Sequence, residues 1–205
     1  MSVLTSSAPG TGARLRWRVV DIVVAAVVAV ACGALFVAWN VAVGPVTTPL
    51  EALVPGLGAL TYGVWLIAGP LVALIVRKPG AALFGELVAA AVSMVLGAQW
   101  GLLTLEAGLV QGLAAELVFL AFRYRVWSLP VALLAGAVAG LAMAINDIAI
   151  YYLAAGPAFQ AIYVVAGVIG GAVIAGLVAW LLVRGLAATG ALARFPAGRE
   201  RTERV

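Results

Sequence analysis

Apolar and polar positions in this chain do not alternate; the apolar ones run on in long blocks, and the breaks between blocks collect Pro, Gly and charge. Six blocks can be drawn, at approximately 19–43, 57–76, 81–98, 102–122, 129–153 and 161–184. The lack of a two-residue period argues against strands, and a segment lying alone in lipid satisfies its own backbone hydrogen bonds only as a helix. Each block is close to the roughly 20 apolar residues that a bilayer crossing requires. The pattern predicts an all-α integral membrane protein: a six-transmembrane-helix bundle over 17–187, a flexible cytoplasmic N-terminus over 1–16 and a basic cytoplasmic tail over 188–205. Both ends read as short, polar and mobile.

Composition agrees with the blocks and narrows the chemistry. Of 205 residues 65% are hydrophobic and 10% charged, with a mean hydropathy of +1.18, against roughly 25% charge in soluble domains. One Cys, Cys32, and no His leave no disulfide framework, no zinc site and no His-based acid–base chemistry. No phosphate cradle or metal-hydrolysis motif appears, so no cofactor, metal site or catalytic residue is expected, and the chain does not read as an enzyme. The first stretch, MSVLTSSAPGTGARLRWR, has the look of a leader's charged start, but the apolar run after Arg18 is long enough to span, so it reads as retained.

Charge sets orientation. Arg14, Arg16 and Arg18, then Arg77 and Lys78, then Arg123 and Arg125, then Arg184, Arg194, Arg199, Arg201 and Arg204 all fall on one side of the six blocks and account for all 12 Lys and Arg. The opposite connections, GPVTTPLEALVPG, AQWG and AAGPAFQ, hold none. The positive-inside rule places both chain ends in the cytoplasm. The pI near 9.7 is therefore topological and does not call for nucleic acid.

Polar residues inside the blocks carry the functional question, because a carboxylate at mid-bilayer costs on the order of 2.5 to 3.5 kcal/mol on insertion scales. Glu86 and Glu116 lie near the inner ends of the third and fourth blocks, where Arg77, Lys78, Arg123 and Arg125 can pair with them. Glu106 and Asp147 lie toward the outer side, where no basic residue is available. By the same counting Trp39, Asn40, Tyr62, Trp65, Gln111, Asn146 and Tyr151 share that depth. Acceptors and ring faces at one level suit a small, flat ligand that donates hydrogen bonds or carries a positive charge. The other reading of the aromatics is an interfacial belt, and of Asp147 a structural pairing between helices. In the first block Ala25 and Ala29 form a small-xxx-small pair, suited either to packing inside the bundle or to a seam for another membrane subunit.

The runs RWRVVDIVVAA, VRKPGAALFGELVAA, LGAQWGLLTLEAGLVQGLAAELVFLAFRYR and LAATGALARFPAGR together resemble the YkoE-type S component of energy-coupling factor (ECF) transporters, a family associated with hydroxymethylpyrimidine and thiamin uptake. The resemblance runs from about Trp17 to Arg199, and its most specific pieces are RKPGAALFGE and VQGLAAELVF. It implies a cell-membrane subunit that captures a vitamin at the outer side and passes it to a transmembrane T subunit and two ATP-binding subunits. It further implies that Ala25 and Ala29 dock the T subunit, and that the connection from Gly44 to Gly56 caps the ligand. The runner-up reading is a proton-coupled secondary transporter of a small cationic or amine solute, relaying protons through Glu106, Asp147 or Glu86. Against it, the two halves show no self-similarity, and Pro70 is the one proline well inside a predicted span.

Overall fold

The computed structural model describes residues 15–202. Most of the predicted N-terminal stretch, with Arg14, and the last residues of the tail, with Arg204, lie outside the described residues. All regular structure among the described residues is helical. Five helices are long and apolar enough to cross a membrane: α1 (Val19–Leu53), α2 (Leu57–Val76), α4 (Leu102–Ala121), α5 (Leu129–Tyr151) and α6 (Pro157–Ala188). Between α2 and α4 lies a shorter apolar helix of 15 residues, α3 (Ala81–Val95). A last short helix, α7 (Pro196–Thr202), lies in the tail.

Each long helix begins where local chemistry allows it. Before α1, the Arg18 backbone N–H donates to Asp21 Oδ2 at 2.9 Å and its guanidinium to Oδ1 at 2.7 Å. The acid thus sits in the first turn, where a helix favours negative charge. Asp21 is fully buried. Helices α5 and α6 each carry a proline in the first turn, where a missing N–H costs nothing.

Helix α1 is longer than its apolar block. The segment 44–56, expected as a capping connector, is helical as far as Leu53, with Pro45 and Pro49 inside the helix. Proline's fixed φ is compatible with a helix, so each removes one backbone bond without forcing an end. Nearby, the Thr47 and Thr48 hydroxyls donate to the carbonyls of Val43 and Gly44 at 2.9 and 2.8 Å. The true connection is short, and Glu51 closes it by accepting from the backbone N–H groups of Gly56 and Gly58 at 2.8 and 2.9 Å.

Helix α2 changes pitch midway. Leu57–Leu66 is a 3₁₀ helix and Ala68–Val76 is α. Every residue from Ala68 to Val76 is buried, because the other helices surround this half. Around it α1 packs on α3, α3 on α4, α4 on α5, α5 on α6, and α6 returns to α2.

Glycines permit the closest approaches. A Cβ at Gly136 or Gly140 of α5 would run into the carbonyl oxygens of Gly171 and Gly167 of α6, and one at Gly63 of α2 into that of Gly170. In this stretch α6 widens to a π-helical run, Gly171–Val178.

Three expectations are corrected. Ala25 and Ala29 are 1% and 0% exposed and belong to the core, so of the two roles their spacing allows they serve packing of this chain's own helices. Among the described residues Glu116 has no ion-pair partner. It accepts from the backbone N–H groups of Gly80 and Ala82 at 2.6 and 2.8 Å, so it caps the start of α3, and from the Tyr124 hydroxyl at 2.8 Å. Burial and the adjacent Glu116 carboxylate push the Tyr124 phenol above its usual range, which keeps it a donor. The tail is not free either, since Leu192 and Phe195 are buried against the core.

Candidate functional site

The up-and-down course of the helices puts the end of α1, the start of α2, the α3–α4 connection and the end of α5 together, away from the start of α1 and the end of α6. Between them lies a cavity of about 240 Å³, several times the roughly 30 Å³ that one water occupies.

The 3₁₀ half of α2 shapes one wall. With three residues per turn, side chains at i and i+3 line up directly, whereas an α-helix would turn them apart. Tyr62 and Trp65 therefore stand in one row toward the cavity, their ring centroids 5.2 Å apart. The parallel row carries Leu60 and Gly63, which meet Gly170 of α6. Trp100, from the α3–α4 connection, meets Trp65 edge-on at 5.3 Å.

Polar groups on the wall are tied to one another across helices. The Trp65 indole N–H donates to Asn40 Oδ1 at 2.9 Å, and Asn40 Nδ2 donates to Ser93 Oγ at 3.2 Å, which joins α2, α1 and α3. The Tyr163 hydroxyl donates to Asp147 Oδ2 at 2.7 Å, which joins α6 to α5. Asp147 retains acceptor capacity beyond that one bond. The Tyr152 ring lies tilted against Tyr163 at 5.2 Å and edge-on to Tyr151 at 6.3 Å.

Of the sequence-predicted residues, Asn40, Tyr62, Trp65, Gln111, Asp147 and Tyr151 line the cavity. Trp39, Glu106 and Asn146 do not. Glu106 and Asn146 instead bond to each other at 3.0 Å and join α4 to α5. Trp39 has its indole nitrogen buried without a hydrogen-bond partner. Sequence reasoning missed Glu86, Ser93, Trp100, Thr104 and Tyr163 and left Tyr152, though read at the right depth, out of the site; all six are on the wall. Trp100 and Tyr152 carried a signal, being aromatic residues at the same depth as the predicted set. Glu86 was assigned to the inner end, yet its Oε2 accepts from the Gly69 N–H at 2.7 Å, where α2 switches to α geometry, and its side chain reaches the cavity.

The cavity offers carboxylates, amides, hydroxyls and ring faces. It can hold a flat molecule by stacking and by accepting its donors, and nothing in it is arranged as a nucleophile with its base.

Comparison with known proteins agrees with this picture. Residues 20–142 match the family described as ABC-type cobalt transport system, permease component. The putative HMP/thiamine permease protein YkoE of Bacillus subtilis (strain 168) is 42% identical over 140 residues, 68% of this chain and 70% of that protein. A crystal structure of an S-component of ECF transporter superposes with a TM-score of 0.84 at 34% identity, covering 92% of this chain and 95% of that one. With the likeness running nearly end to end, the chain belongs to the ABC-type permease family as an S component of ECF transporters, a multi-pass membrane subunit of transport and not an enzyme.

Proposed function

We propose that this subunit captures thiamin or its hydroxymethylpyrimidine precursor at the outer side of the cell membrane and delivers it with a transmembrane T subunit and two ATP-binding subunits. In this reading the chain crosses six times, with α3 as the short crossing, and both ends lie in the cytoplasm over the boundaries drawn from the sequence. The cavity then opens outward. Its binding residues are Asn40, Tyr62, Trp65, Gln111, Asp147 and Tyr151, joined by the wall residues that sequence reasoning missed.

The observation that carries the reading is the cavity wall, where aromatic faces surround acceptors and, among the described residues, no Lys or Arg takes part. An aminopyrimidine supplies a flat ring and N–H donors, and a thiazolium supplies a cation for the ring faces. The name of the Bacillus relative points to the same ligands. The family description names cobalt, but the chain has no His. Among the described residues, moreover, no group of three or more His, Cys, Asp or Glu converges, so the donor set suits an organic ring better than a bare transition-metal ion. Likeness to a capture subunit over most of the chain favours this reading over the proton-coupled carrier.

Tryptophan fluorescence tests it, since Trp65 and Trp100 stand in the wall. Titrating the purified full chain with thiamin, hydroxymethylpyrimidine and cobalt(II) should give saturable quenching at submicromolar concentration for one or both organic ligands. A folded protein that answers only to cobalt, or to none of the three, rejects the proposal.

A further inference from the structure

The connection from α4 to α5 holds two consecutive non-glycine residues in the left-handed region, Arg123 at φ 53° and Tyr124 at φ 55°. A Cβ disfavours that conformation, so a helix that ends this way commonly does so on Gly. The chain follows the rule elsewhere. Helix α3 closes on Gly97 at φ 99°, whose N–H bonds to the Met94 carbonyl while the next N–H bonds to that of Ser93. Helix α4 closes in the same motif, with the Arg123 N–H on the Leu120 carbonyl at 2.7 Å and the Tyr124 N–H on that of Phe119 at 2.9 Å. An arginine therefore stands where glycine would serve the turn better, and what it adds is its side chain.

Neighbouring groups hold the turn in place. The Tyr124 hydroxyl is tied to Glu116 at 2.8 Å, and the Trp127 ring stacks on Phe119 at 5.0 Å with the Arg77 guanidinium 5.7 Å from its centroid. Arg123 and Arg125, on either side of the anchored Tyr124, are exposed. Among the described residues neither forms an ion pair. Phe122 and Val126, next to them in the chain, are exposed as well. So are Leu113, Leu117 and Leu120, which the helical period places on one face of α4. An apolar stripe thus runs along the helix and ends at two guanidinium groups on a fixed turn. The stripe complements acyl chains, and the arginines complement a phosphate.

We propose that Arg123 and Arg125 bind the phosphate of an anionic phospholipid whose acyl chains lie along Leu113, Leu117 and Leu120. The planar guanidinium fork matches the free oxygens of a phosphodiester. Because the turn is already ordered, little backbone freedom is lost when the headgroup arrives. The site lies outside the cavity and does not depend on what the cavity holds. On the topology proposed above it faces the inner leaflet, whose anionic lipids attract basic residues beside a span.

The experiment reconstitutes the full chain in phosphatidylcholine vesicles carrying increasing amounts of brominated phosphatidylglycerol or brominated phosphatidylcholine. Bromine quenches tryptophan on contact, and the share owed to Trp127 is the part missing in Trp127→Phe. Phosphatidylglycerol should quench Trp127 at a concentration at least about tenfold lower than phosphatidylcholine, an advantage that shrinks as salt is raised. Arg123→Gly and Arg125→Ala should each cut that preference about fivefold, the worth of one basic residue at an anionic surface, and the double variant should abolish it. Glycine at 123 also relieves the left-handed strain, so Arg123→Gly should melt no lower than the wild type in phosphatidylcholine. Should that variant fail to fold, Arg125→Ala read against the wild type still decides. Equal quenching of wild-type Trp127 by the two lipids, or an anionic preference that survives the double substitution, overturns the proposal. A double variant that keeps its lipid preference but no longer co-purifies with the T and ATP-binding subunits overturns it in favour of a protein partner at this face.

Discussion

Glu116 shows how one acid can hold a helix in place. It takes the backbone N–H groups of Gly80 and Ala82 and the Tyr124 hydroxyl, and it is itself buried. Replacing it by Ala strands donors at the start of α3, at a cost of about 2 to 4 kcal/mol. A Glu116→Ala variant should therefore melt well below wild type in detergent while the protein that remains folded still binds ligand; an unchanged melting curve would show the cap to be dispensable. Residue depth was readable from sequence for most of the polar set, Glu86 excepted, but the direction a side chain points was not. Asn146 and Asp147 are neighbours, about 100° apart on a helix, so one can face the cavity while the other turns to a neighbouring helix. The same holds for Trp39 and Asn40. Blocks that are apolar all round leave that choice to the packing of helices far apart in sequence. Asp147 and Asn40 face the cavity, whereas Asn146 is spent on Glu106.

At the level of helices, a run of apolar residues announces a helix without saying what kind. Nothing in LGALTYGVWL distinguishes a 3₁₀ helix from an α-helix, yet the tighter winding is what aligns Tyr62 with Trp65. The prolines at 45 and 49 misled for a related reason, since their usual meaning as breakers gave way to a helix that could absorb both. Gly136 and Gly140 of α5 are spaced four apart and so share one face, but nothing in the sequence marks α6 as their partner. Because Gly140 lies against the α6 backbone, Gly140→Val must push two helices apart, costing at least about 1 to 3 kcal/mol. The variant should lose thermal stability and ligand affinity together, because Asp147 and Tyr163 sit on those same two helices. Normal affinity in a Gly140→Val protein would show that the cavity tolerates separation of α5 from α6.

For the whole molecule, the distribution of Lys and Arg carries the orientation, and labelling can check it. Cys32 is buried, so the background from native thiol is low. A membrane-impermeant maleimide should label Ala154→Cys, between α5 and α6, from outside intact cells, and Thr189→Cys, beyond α6, only after permeabilisation. The reverse pattern would invert the proposed topology.

The helices also differ greatly in length. At 1.5 Å per residue the 35 residues of α1 reach about 52 Å, while the 15 of α3 reach about 22 Å. On the six-crossing reading proposed above, a hydrocarbon core of roughly 30 Å fits neither, so the lipid beside α3 would thin and α1 would tilt or project from the surface. On that reading the wall of the cavity contributed by α3, with Glu86 and Ser93, would lie where the bilayer is most deformed. Acyl-chain length then becomes a control on the site: reconstitution in short-chain lipids should hold Ser93 and Asn40 in register, and thick bilayers should weaken capture without any change in the protein's own residues.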